Sequence, residues 1–165
     1  MPLKKIQNKT LADAFLEKKL GQSGLLLKNS FIKSATFEGM YDQGIPNQNL
    51  IDHHRRIAMG NVAMTTVSYG AVSKEARTFS DQMYIHPGSL KPLKELARKV
   101  HEVGGKVAMQ LTHCGYFSKN KSPNQLLAPR RLFNADGALS GLMCSKARSL
   151  TDLYKGAEGY AQAAV

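Results

Sequence analysis

The sequence lacks the features that mark a membrane protein or a disulfide-stapled secreted protein. The 165-residue sequence contains no apolar run that approaches the length of roughly 18–20 residues that a membrane span needs. The first 20 residues mix charged and apolar side chains, so no secretory signal is expected. Two cysteines, Cys114 and Cys144, are too few for a disulfide framework or a four-ligand zinc set. These absences favour a protein of the reducing cytoplasm, with no membrane partner.

Common nucleotide and metal motifs are also missing. No Gly-x-Gly-x-x-Gly follows a predicted strand, and no Gly-x-x-x-x-Gly-Lys-Ser/Thr occurs, so neither a Rossmann site nor a P-loop is supported. His53 and His54 are neighbours on a predicted helix and cannot both face one metal ion. His113 and Cys114 are adjacent at a strand end, where successive side chains point to opposite faces. A metal site and a Cys–His nucleophile pair are therefore not expected.

Acidic residues are scarce: the sequence has 12 Asp and Glu against 23 Lys and Arg, which gives a formal net charge of +11. A basic surface can bind nucleic acid, but here the basic residues form short pairs along the chain without interleaved aromatic side chains. Nucleic-acid binding is therefore disfavoured. An ordinary solvated surface is a second interpretation, and attraction of an anionic cofactor or substrate, the third, fits the other features better.

The chain does contain a recurring strand–helix unit. Strands are predicted at residues 30–36, 62–69 and 106–113. Helices are predicted from Asn47 to Gly60, from the cap Ser89 to Gly104-Gly105, and from Ser149 onward. Strands that alternate with helices require a parallel sheet, so the fold class is α/β. Residues 1–24 are expected to form an N-terminal helix, over 11–20, and a turn, while residues 25–165 form the barrel-like part.

Polar and aromatic residues stand where each predicted strand ends. The first strand exits through Ser34-Ala35-Thr36-Phe37-Glu38-Gly39, the second through Ser68-Tyr69-Gly70-Ala71 and the third through Gln110-Leu111-Thr112-His113-Cys114-Gly115. In a (β/α)₈ barrel the carboxyl ends of the strands form the ligand-binding face. These three exits are therefore the candidate binding residues.

The same segments resemble one known family. Residues 27–36, Leu-Lys-Asn-Ser-Phe-Ile-Lys-Ser-Ala-Thr, are similar to the first barrel strand of the Old Yellow Enzyme and NADH:flavin oxidoreductase family. Residues 110–115 are similar to its third-strand signature, Gln-Leu-x-His-x-Gly. The order also agrees: a hairpin before the first strand, a helix after Pro46-Asn47, a loop around Arg77 and a capping loop at about 114–148. That family includes dienoyl-CoA reductases and trimethylamine dehydrogenase.

The resemblance implies a flavoprotein that binds FMN at the strand ends. The backbone of Ser34, Ala35 and Thr36 would run beside the isoalloxazine ring, with Phe37 near the ring edge. Tyr69 would lie on the pyrimidine side of the ring. The implied fold is the N-terminal portion, about three to four βα units, of a TIM (β/α)₈ barrel.

Gln110 has the most specific implied role, a hydrogen bond to the N3/O2 edge of the flavin. A primary amide suits that edge because it offers both a donor and an acceptor. The structural alternative is that Gln110 ends a strand and caps a loop, as buried amides often do. For His113 a structural hydrogen bond is expected, and Cys114 is interpreted as a small buried residue and not as a redox thiol.

The implied chemistry is hydride transfer from NAD(P)H through FMN to the β-carbon of an activated alkene, an enone or enoyl compound. Departures from the family pattern fall at Ser30, at Thr36-Phe37 and at Tyr116, and they weaken any assignment to a subtype. The residues that clamp the substrate and the proton donor are expected beyond residue 165.

The length suggests an incomplete barrel, because such barrels take about 250 residues. Open parallel sheet edges would promote self-association. A truncated product without activity is therefore one alternative interpretation. A basic binding module that has reused part of a barrel is another.

Overall fold

A parallel three-stranded sheet lies at the centre of the fold. The computed structural model describes residues 10–119, 127–128, 130, 133, 135–138, 146–147 and 149–164. The strands are β1 (Lys18–Leu20), β2 (Leu25–Leu27), β3 (Ile32–Lys33), β4 (Tyr41–Asp42), β5 (Ile45–Pro46), β6 (Met64–Ala71), β7 (Lys106–Thr112), β8 (Leu127–Ala128) and β9 (Lys146–Ala147). The helices are α1 (Gln48–Met59), α2 (Pro87–Glu102), α3 (Ala135–Ala138) and α4 (Leu150–Ala163).

The central sheet has the order β3-β6-β7, and all of its pairings are parallel. The register of β6 and β7 shifts once: Val67 pairs with Met109, but Gly70 pairs with Leu111. Two residues of β6, Ser68 and Tyr69, therefore lie opposite the single residue Gln110. Such a β-bulge bends a strand and redirects its side chains, and bulges are frequent next to active sites.

The main core lies between this sheet and helices α1 and α2. Its fully enclosed members, each at most 8% exposed, are Tyr41, Leu50, Ile51, Ala58, Val67, Met83, Leu96 and Val100. The predicted apolar face of α1 is confirmed, since Leu50, Ile51, His54 and Ala58 are all buried. At the start of β7 a Cβ atom on Gly105 would lie 2.8 Å from the Cβ of Ala58, so glycine allows α1 and the turn to approach closely.

Two of the predicted helix caps are confirmed and one is wrong. The side chain of Asn47 accepts from the N–H of Leu50, and that of Ser149 accepts from the N–H of Asp152. The helix expected to begin after Ser89 begins earlier, at Pro87, with His86 as its cap. Proline is favoured at the first helical position because its φ is already helical. Ser89 lies one turn inside and accepts from the His86 N–H at 3.1 Å.

The N-terminal prediction was wrong over half of its length. A 3₁₀ helix covers only Leu11–Phe15, and the last three residues of the expected helix form β1, which pairs antiparallel with β2. Gly21 and Gly24 adopt positive φ in the intervening turn, a conformation that glycine tolerates better than other residues. The hairpin therefore joins residues on both sides of the expected boundary at residue 24, and that boundary stays a prediction. The first barrel strand is also shorter than predicted, Ile32–Lys33.

The segment expected to form a capping loop, at about 114–148, is described only in part. It contains a 3₁₀ turn over Gly115–Phe117, the parallel pair β8 and β9, and the single turn α3. Its role as a cap stays a prediction, and Cys144 lies outside the described residues. In the described part of the chain, every helix is too short or too polar to cross a bilayer.

Candidate functional site

The carboxyl ends of β3, β6 and β7 meet at one edge of the sheet, as the sequence predicts. The Phe37 ring lies 5.5 Å from the Tyr69 ring and 5.6 Å from the Phe79 ring, measured between centroids. Phe37 nevertheless stays 49% exposed, so half of this large apolar ring faces outward. Of the residues before it, Ser34 and Thr36 are exposed and Ala35 is half-buried. The exit of β3 thus presents an accessible backbone and an aromatic ring beside Tyr69.

Gln110 lies across the bulge from Ser68 and Tyr69 and has an exposed side chain. The structure shows no hydrogen bond from its carboxamide to another described residue, whereas the alternative interpretation required it to cap a loop. Toward the described residues, the carboxamide thus leaves both its amino group and its oxygen without a partner. Phe37, Tyr69 and Gln110 therefore lie at the same edge of the sheet, and the Phe37 and Tyr69 rings are in contact.

Next to these strand ends lies a buried group of polar side chains. We call it the Glu38 cluster, and it is formed by Lys33, Glu38, Tyr41 and His54. The Glu38 carboxylate is 3% exposed, lies 2.5 Å from the Lys33 ammonium and accepts from the Ser68 N–H at 3.0 Å. The Tyr41 hydroxyl donates to the Ser68 carbonyl. Burial, and then the neighbouring Glu38 carboxylate, raise the pKa of Tyr41 well above its ordinary value. The hydroxyl therefore stays protonated and can donate.

His54 completes the cluster from helix α1. Its Nδ1 lies 2.7 Å from the Thr65 hydroxyl, and its Nε2 lies 3.7 Å from a Glu38 oxygen without a hydrogen-bond partner among the described residues. Burial, followed by the charges of Lys33 and His53, lowers the pKa of His54 from 6.5 to about 3. The imidazole is therefore neutral in the folded protein at physiological pH.

This neutral histidine predicts a pH-dependent stability. Its folded pKa of about 3 lies below the unfolded value of 6.5, so its contribution is complete above pH 6.5 and is lost as pH falls toward 3. In that window the loss approaches about 1.4 kcal/mol for each pH unit. We expect His54→Gln to flatten the fall of the free energy of unfolding between about pH 6 and 4, measured by urea denaturation. The control is His101→Gln, because His101 is exposed, and it should keep the wild-type pH dependence. Equal slopes of the free energy of unfolding against pH for wild type and His54→Gln would contradict the assignment of His54 as a neutral buried group.

The loop between β6 and α2 is held by two buried polar side chains. The Arg77 guanidinium donates to the carbonyls of Lys74, at 2.9 Å, and Ser80, and lies 5.2 Å from the centroid of the Tyr84 ring. Gln82 donates to the Tyr69 carbonyl at 3.2 Å and accepts from the Thr78 N–H. The Arg77 side chain thus stabilises its own loop, and Gln82 links that loop to the bulge.

Of the two predictions for the end of β7, the one for His113 is confirmed and the one for Cys114 holds in part. His113 makes a structural hydrogen bond, because its Nδ1 accepts from the Gly115 N–H at 3.1 Å. Cys114 is half-buried, and burial raises the pKa of its thiol, which disfavours the reactive thiolate. In the described ranges no three His, Cys, Asp or Glu side chains gather where they could hold a metal ion.

The sequence interpretation overlooked the Glu38 cluster. Glu38 was placed in the exit of the first strand, at the face where barrels bind ligands, but no role was assigned to it. Its partners are not visible in the sequence, since Ser68 lies 30 positions further along the chain.

The amino-acid sequence of this chain is similar to the sequences of flavin-dependent oxidoreductases. Residues 18–164 match the sequence model of the NADH:flavin oxidoreductase / NADH oxidase family. The 4,4'-dithiodibutanoate disulfide reductase of Rhodococcus erythropolis is 35% identical over 121 residues, which are 69% of this chain and 30% of that protein. The chain therefore spans less than a third of the length of this curated relative.

Solved structures agree on the fold. The Old Yellow Enzyme from Pichia sp. AKU4542 superposes with a TM-score of 0.81 and 18% identity, over 92% of this chain and 42% of that one. Morphinone reductase in complex with tetrahydroNAD superposes with a TM-score of 0.78 and 19% identity, over 92% and 45%. At such identities the likeness concerns the fold, and it confirms the prediction of a partial (β/α) barrel.

Proposed function

This chain belongs to the NADH:flavin oxidoreductase / NADH oxidase family, and on that premise we propose that it binds FMN at the carboxyl ends of β3, β6 and β7. The proposed reaction is of the ene-reductase type, with NADH or NADPH as reductant and an activated alkene, an enone or enoyl compound, as acceptor. Because the chain spans less than half the length of its relatives, the reaction of the whole protein is part of this proposal.

The residues at the strand ends fit an isoalloxazine ring. The Gln110 carboxamide would bind the polar N3/O2 edge, since it has a donor and an acceptor without partners among the described residues. Tyr69 would lie on the pyrimidine side, and Phe37 near the ring edge. The exposed backbone of Ser34, Ala35 and Thr36 would run along the ring. The formal charge of +11 favours the approach of a cofactor that carries a phosphate.

Bound FMN would supply the hydride chemistry, and the chain's own residues would place and shield the reacting centre. Phe37 and Phe79 pack against each other at the accessible face and would exclude water from one side of the ring. The observation that carries the proposal is the exposed amide of Gln110, opposite the bulge that contains Tyr69, whose ring contacts the exposed ring of Phe37.

A second acceptor class is favoured by the relative that is named a disulfide reductase. In that case a hydride and a proton would convert one organic disulfide into two thiols. The half-buried Cys114, with its raised pKa, is not needed as a nucleophile in this scheme, because the reduced flavin is the electron donor.

Anaerobic flavin spectroscopy tests the proposal and separates the two acceptors. NADH or NADPH is added to the FMN-loaded chain, and loss of the oxidised-flavin absorbance is followed over time. A cyclic enone or an aliphatic disulfide is then added. Return of the oxidised spectrum with the enone supports the ene-reductase proposal, and return with the disulfide alone supports the second acceptor class. Bound flavin that neither nicotinamide reduces would contradict the proposed reaction.

A further inference from the structure

The bulge at the end of β6 is held by side chains from two separate segments of the chain, the exit of β3 and the loop between β6 and α2. On the β3 side, Glu38 accepts from the Ser68 N–H at 3.0 Å and Tyr41 donates to the Ser68 carbonyl. From the loop between β6 and α2, Gln82 donates to the Tyr69 carbonyl at 3.2 Å. A bulge interrupts the regular ladder, so its backbone groups need other partners. Three buried side chains supply them here.

Of these three side chains, Glu38 is the one that carries a buried charge. Its carboxylate is 3% exposed, and a buried charge that loses its partners strongly destabilises the fold. The Lys33 ammonium at 2.5 Å balances its charge and also donates to the Thr66 carbonyl at 3.2 Å. The His54 ring, neutral because its pKa is lowered to about 3, adds no second positive charge. The pair Lys33–Glu38 therefore joins the end of β3 to β6 at a fixed distance.

The bulge in turn sets the orientation of Tyr69 relative to Gln110 at the proposed ligand site. Ser68 and Tyr69 lie opposite Gln110, so a shift of one backbone residue changes the direction of Tyr69 relative to the amide. Glu38 also directly follows Phe37, whose ring contacts the Tyr69 ring at 5.5 Å between centroids. The buried Glu38 carboxylate is thus tied to two of the side chains assigned to the flavin, Phe37 and Tyr69.

We propose that Glu38 is a positioning residue for the flavin site: through Ser68 and Lys33 it holds Phe37, Tyr69 and Gln110 in the arrangement that receives the ring. The inference rests on the proposed FMN binding. Glu38 does not itself contact the ring; it acts through the bulge, and its loss changes the electronic surroundings of the flavin as well as the affinity.

The test compares Glu38→Gln with a matched control, Glu95→Gln, which removes an exposed carboxylate on α2 that pairs with Arg98. We expect Glu38→Gln to raise the Kd for FMN about tenfold or more, measured by quenching of flavin fluorescence. We also expect a shifted midpoint potential of the bound flavin, measured at saturating FMN so that lost affinity does not contribute. Glu95→Gln should leave both values unchanged. A merely structural role would not move the potential of the fully loaded protein.

A folded Glu38→Gln variant with unchanged Kd and unchanged potential overturns the inference. If that variant does not fold, Tyr41→Phe carries the test, because it removes only the hydroxyl that donates to the Ser68 carbonyl and keeps the buried ring. The same two readouts then decide. Failure of the wild-type chain to bind FMN is a different result, which overturns the proposed function and this inference together.

Discussion

Leu96→Ala is expected to lower the free energy of unfolding by about 3 kcal/mol, within the range of roughly 2–5 kcal/mol measured for such truncations in well-packed cores. Leu96 is 1% exposed and lies in the cluster that joins α1 and α2 to the sheet. Removing three carbon atoms there loses the transfer energy of the side chain and leaves a cavity that rigid neighbours cannot fill. Urea denaturation followed by circular dichroism measures the change as a shift of the midpoint at constant slope.

Leu90→Ala is the matched control, because Leu90 lies on the same helix and is 46% exposed. Leucine and alanine both favour helices, so we expect the control to change stability by less than about 1 kcal/mol. Equal effects of the two substitutions would mean that α2 does not pack against the sheet through Leu96.

Gln110→Ala is expected to weaken FMN binding by about tenfold to a hundredfold, with no loss of stability. The loss of hydrogen bonds to a buried polar ring edge costs about 1–3 kcal/mol, and each 1.4 kcal/mol is tenfold in Kd. Stability should be unaffected because the Gln110 side chain is exposed and shows no hydrogen bond to the described residues. Fluorescence titration with FMN and a denaturation curve measure the two quantities separately.

Gln48→Ala is the control for this prediction, since Gln48 is an exposed amide on α1 that pairs with Asp52. It should leave the Kd for FMN unchanged. If Gln110→Ala retains the wild-type Kd, the amide does not bind the flavin and the implied role of Gln110 is wrong.

Local chemistry explains what the sequence predicts well. Asn47 and Ser149 are caps whose hydrogen bonds reach only three residues ahead, and the apolar spacing of α1 marks its buried face. The strand–helix order predicts the parallel sheet, and the resemblance at residues 110–115 led to the family that residues 18–164 match.

Features that depend on distant contacts are not predictable in this way. Residues 11–20 have helical propensity, but pairing of β1 with β2 makes residues 18–20 a strand. The bulge arises from the register of β6 against β7, and the partners of Glu38 come from positions far along the chain. The sequence therefore predicts which residues line the strand ends, but not the buried carboxylate that holds them.

Retention of FMN by the purified chain tests the central claim most directly. The chain is mixed with FMN, separated from the excess by gel filtration, and its visible absorption spectrum is recorded. We predict a protein peak that carries about one oxidised flavin per chain, and a marked loss of that flavin in Gln110→Ala. A soluble, folded chain that elutes without flavin would contradict the account, and salt-sensitive binding of nucleic acid by that flavin-free chain would favour the basic binding module instead.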